Sequence, residues 1–182
     1  EYLGEFHGDD QVLVVLENGE FCTTTSDATN HYDPNILRIE KFDPDKVWTV
    51  ALYDAAQGYP YLKRFVFEAG SRKQSFLGDN PDSRLLLITD TAYPRIEVAF
   101  GEGDSFREPM VVDAAEFIAV KGFKAKGKRL TNYSVATINE LEPLRQEDDS
   151  VVEDDSSVET DTLMDSNVDK PEDSASGQMT LF

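Results

Sequence analysis

The chain reads as all-β: a propeller-like array of repeated hairpin blades followed by an acidic tail. Three observations predict this. Strand, turn, strand and extended connector recur with little helical periodicity. Asp9, Asp43, Asp79 and Asp113, each a few residues ahead of an apolar strand, are spaced by 34, 36 and 34 residues. Phe6, Phe42 and Phe76 recur in the connectors at 36 and 34 residues. Periods of roughly 20 to 50 residues mark solenoids, propellers and arrays, and a β unit of this size suits a blade. The alternative is a single β-sandwich whose turns share that spacing by coincidence.

The first unit predicts a hairpin: Gln11–Leu16 is nearly all apolar, Asn18-Gly19 is a strong turn signal, and Phe21–Thr25 is rich in β-formers. An unbroken VLVVL run suits an inner strand covered on both faces. The second unit places a strand at Val47–Tyr53, a loop at Asp54–Pro60 and a return strand at Tyr61–Glu68. The third pairs Leu85–Thr89 with Arg95–Phe100 across a turn at Asp90–Pro94. The fourth starts at Asp113, where the apolar run Phe117–Val120 reads as a buried strand delivering a loop with Gly122 and Gly127. Residues 1–144 then form the folded domain and residues 145–182 a disordered tail.

Charge is unevenly placed. The 182 residues carry a net charge of −19, and from Gln146 onward twelve acidic residues face one lysine, which leaves 16 basic against 24 acidic residues before that point. A tail of Asp, Glu and Ser without aromatics buries too little apolar surface to order itself. A single cysteine, Cys22, excludes an intrachain disulfide and Cys-based zinc motifs. The longest apolar runs fall far short of the roughly 20 residues of a membrane span, so the expectation is a soluble cytoplasmic protein with no membrane partner. The opening EYLGEF has no leader character and no initiator Met, which suggests a piece of a longer polypeptide.

No catalytic constellation emerges. His7 and His31 lack a third ligand at metal-site spacing, and there is no GxSxG, Walker-type or GxGxxG motif. Asp43 with Asp45, and Asp79 with Asp82, flank Pro in turn contexts and read as turn formers. Trp48 reads as core. The positive signal is basic: Lys121, Lys124, Lys126, Lys128 and Arg129 fall within nine residues. Lys63-Arg64, Arg72-Lys73, Arg84, Arg95 and Arg107 are scattered through the earlier units, where a ring of blades would set them along one rim. Such a track suits a polyanion held through its phosphates; the plain alternative is solvated surface charge.

The segments YLGEF, DQVLVVLENGEF, YPYLKRF, FREP and EFIAVKGFKAKGKRLTNYSVATINELEP resemble the C-terminal domain of the A-type subunit of bacterial topoisomerase IV, in the form found in Bacteroidetes, over residues 1 to about 144. That resemblance implies a β-pinwheel whose basic rim holds or bends double-stranded DNA for the catalytic core. The core, the B-type subunit, ATP and Mg²⁺ belong to parts of the enzyme outside this chain, so this chain needs no cofactor and is catalytically silent. It is expected to associate with the nucleoid. Nothing matches the gyrase box QRRGGRG, which favours topoisomerase IV over a tightly wrapping gyrase. The expected first DNA contacts are Lys121, Lys124, Lys126, Lys128 and Arg129, with Lys63, Arg64, Arg72 and Lys73 secondary. A different class, a propeller serving only protein–protein interaction, stays open.

The tail carries two further expectations. Its acid could compete with DNA for the basic rim. Its last residues, QMTLF, resemble the peptide with which bacterial proteins dock on the replication sliding clamp, with Gln178, Leu181 and Phe182 as the contacting residues.

Overall fold

Five consecutive apolar residues need cover on both faces, and β1 (Gln11–Leu16) receives it. Leu13 and Val15 face one core, while Val12, Val14 and Leu16 face another containing Phe6, Cys22, Ile36 and Ile39. A computed structural model describes residues 4–27 and 29–145, all within the unit Glu1–Ser150. The acidic tail and its QMTLF end, residues 146–182, lie outside the described residues.

β1 turns into β2 (Glu20–Thr25) through three residues rather than two. The Gly19 amide donates to the Leu16 carbonyl at 3.0 Å and Gly19 has φ of 79°, the arrangement of a turn closed by a left-handed residue. The connector that follows supplies β3 (Ile36–Lys41), which pairs with the other edge of β1. β4 (Val47–Asp54) and β5 (Tyr59–Val66) then form the second hairpin, with Tyr59 opposite Asp54.

Two expectations fail beyond this point. After β6 (Gln74–Ser75), the strands β7 (Arg84–Thr89) and β8 (Arg95–Phe100) form no hairpin together. β4 has a free edge on the side away from β5 and takes up β7, with Thr49 opposite Thr89, so Asp90–Pro94 is a passage between sheets. β8 instead pairs with β9 (Met110–Asp113). The strand expected at Phe117–Val120 is also absent. Asp113 accepts hydrogen bonds from the amides of Ala115 and Glu116 and caps the one-turn helix α1 (Ala114–Phe117). The sequence DAAE has the Asp-x-x-Glu form of a capping box, which favours a helix start over a strand.

The 34-to-36-residue period therefore does not describe the architecture. The hairpins begin at Gln11, Val47 and Arg95, separated by 36 and then 48 residues. Phe6, Phe42 and Phe76 are not equivalent either: Phe6 packs in the first sheet's second core, Phe42 at the margin of the main core, and Phe76 wholly inside it. Completing the chain are β10 (Lys128–Arg129) and β11 (Val135–Leu141). The result is three antiparallel sheets with orders β3-β1-β2-β6, β10-β5-β4-β7 and β11-β8-β9.

Each of the first two sheets is closed by a strand from further along the chain. β6 lies on β2 and β10 lies on β5. Between the first two sheets sits an aromatic knot of Phe21, Trp48, Phe65, Phe67, Phe76 and Phe123, with centroid separations of 4.5 to 6.3 Å. The second and third sheets share an aliphatic core of Leu62, Ile96, Val98, Val112, Ile118, Leu130 and Ile138.

Candidate nucleic-acid interface

The basic stretch is an edge cover laid along β5. The Lys121 amide donates to the Arg64 carbonyl at 2.8 Å, Lys128 and Arg129 pair with Leu62 and Tyr61, and the Leu130 amide donates to the Pro60 carbonyl at 2.9 Å. Side chains pin it from both faces: Phe123 enters the aromatic knot edge-on to Phe21, while Ile118 and Leu130 enter the aliphatic core. Gly127 is required by this fit. Its φ is 86°, and a Cβ there would stand 2.5 Å from the Leu62 carbonyl oxygen.

With the apolar residues turned inward, Lys121, Lys124, Lys126, Lys128 and Arg129 are all exposed. None of the five forms an ion pair among the described residues, whereas Arg38, Lys41, Lys46, Lys73, Arg107 and Arg145 all do. Aromatic rings hold several of them in place. The Arg129 guanidinium lies 4.0 Å from the Tyr59 ring centroid, and Lys128 Nζ lies 4.2 Å from that of Phe117 while donating to the Phe117 carbonyl at 3.1 Å. A ring beneath a cation steadies it and leaves its charge unneutralised.

The secondary residues are placed differently from the expectation. Lys63 is only 6% exposed, and its Nζ donates at 2.7 Å to the carbonyls of both Phe76 and Phe123. It works beneath the basic stretch rather than on its surface. Burial pushes its pKa down to about 8, opposed by the charge of Asp54. Arg64 is half-buried on the opposite face of β5, reaching the Ala92 carbonyl, and burial lowers its pKa as well. Lys73 pairs with Asp33, whose hydrogen bond raises the lysine's pKa. Arg72 is exposed on the connector before β6. Of the nine expected contacts, then, the structure unites the five from 121 to 129 along one strand edge.

Sequence reasoning missed the aromatic partners. Tyr53, Tyr59 and Tyr133, with Arg84 and Asn132, line a cleft of about 380 Å³ beside Arg129. The signal was faint: tyrosines at strand ends and turns, far apart in sequence, next to isolated arginines.

An all-β domain whose packing holds an unneutralised basic edge in fixed register is built to present charge to an anionic partner. The chain belongs to the family described as Topoisomerase C-terminal domain, Bacteroidota, which it matches over residues 1–142. No curated protein and no solved structure matches it.

Proposed function

We propose that this is the DNA-holding domain of the A-type subunit of a bacterial topoisomerase IV. The three sheets would be blades of a pinwheel, and the edge from Lys121 to Arg129 would contact the phosphates of double-stranded DNA presented to the catalytic core. The observation that carries this reading is the set of five exposed cations, without ion pairs among the described residues, on a strand fixed from both faces. Their contact with backbone phosphates is independent of sequence and strongly salt-dependent.

The chemistry of strand passage, with its ATP and Mg²⁺, belongs on this reading to the catalytic core and the B-type subunit. The protein works in the cytoplasm at the nucleoid, and Gln178, Leu181 and Phe182 serve as a sliding-clamp docking peptide. Failure of a peptide spanning residues 173–182 to bind the clamp would remove that last element alone.

The direct test is a DNA titration at several salt concentrations. Five phosphate contacts correspond to a slope of about −4.5 in log K against log salt. Lys126→Glu with Lys128→Glu should weaken binding and flatten that slope, and an unchanged affinity and slope would refute the reading.

A further inference from the structure

Beside the duplex-facing edge, the cleft of Tyr53, Tyr59 and Tyr133 has a chemistry that phosphate contact does not use. We propose that it takes a single unpaired nucleobase extruded from the DNA held on the basic edge, a step that rests on the DNA-holding function above. Each tyrosine is backed by a guanidinium: Arg84 lies 5.1 Å from the Tyr53 ring centroid, Arg129 4.0 Å from Tyr59, and Arg107 3.5 Å from Tyr133. Phe100 meets Tyr133 edge-on at 5.8 Å. These are the parts of a stacking platform for bases, with planar cations near enough to meet the flanking phosphates.

The size and the polar groups suit one base. About 380 Å³ admits a base and its sugar and excludes a duplex. Asn132 and Glu102 add an amide and a carboxylate to the lining, matching the mixed donors and the exocyclic amine of a base edge. Glu102 has φ of 50°, in the left-handed region and rare for a residue with a side chain, so the backbone is held in an unusual conformation at the cleft wall. The Asn132 amide oxygen also accepts from Arg129 at 2.9 Å, which joins the cleft to the basic edge.

The test compares the full chain's affinity for an intact duplex with that for the same duplex carrying a one-nucleotide bulge, with 2-aminopurine as the bulged base. The bulged duplex should bind about tenfold tighter, the gain expected of one stacked base, and 2-aminopurine fluorescence should be quenched on binding. Tyr133→Ala should bring the ratio of the two affinities to one, and Tyr133→Phe should preserve it. Steep salt-dependent binding of both duplexes at equal affinity, without quenching, would overturn the cleft assignment and leave the basic edge standing. Binding of neither duplex would overturn both.

Discussion

Lys63 shows how one side chain can set the position of a surface it never reaches. Its amine ties two carbonyls from different segments, Phe76 after β6 and Phe123 within the basic stretch. The folded amine titrates near 8 and the unfolded one near 10.5, so between those values the unfolded chain holds a proton that the folded chain has released. Stability should therefore rise with pH across that window. Denaturant midpoints measured from pH 8 to 10.5 should show the rise, and Lys63→Met should flatten it. That variant should also cost about 1–3 kcal/mol by stranding two buried carbonyls. Residue character alone did not separate Lys63 from Lys126, because both are lysines in aromatic surroundings and only the parity of β5 turns one inward. Trp48, Val12 and Val15 were legible because large apolar residues in a strand have few other places to go.

Among the elements, β10 is a two-residue strand that depends on Gly127. Gly127→Ala should cost about 2 kcal/mol or more, since an alanine is strained in the left-handed region and its Cβ would press on the Leu62 carbonyl. DNA affinity should fall although no charge is lost. Gly122→Ala meets nothing within 4 Å and has no positive φ, so it should leave both melting temperature and affinity near their original values. Comparing the two by thermal unfolding and DNA titration isolates the placement of the charges from their number. Asp113→Ala should cost about 1 kcal/mol through loss of the α1 cap, measurable as a lowered denaturant midpoint. The first two hairpins could be read from their turns and apolar runs. β7 and β8 misled because a hairpin and a passage between sheets share the same local pattern, and the difference lies in the free edge of β4, which is remote in sequence.

Taken whole, the molecule sets a basic edge into a body that is otherwise acidic, with 16 basic against 24 acidic residues before Gln146. The two hairpins 36 residues apart made the period persuasive; the longer third interval broke it, because residues 67–83 and 114–134 wrap neighbouring sheets instead of opening new ones. Such wrapping delays assembly during synthesis. The second sheet acquires β10 only after 61 residues separate it from the end of β5, as Val66 and Lys128 are numbered. A ribosome-bound chain must therefore hold half of the aromatic knot and one flank of β5 open until Phe123 and Leu130 have emerged. Arrest of translation near residue 120 should leave that flank protease-sensitive in a nascent chain, and arrest far enough on to release residue 134 should protect it. The late arrival of the basic edge makes it both the last piece of the second sheet to form and the piece that locks it.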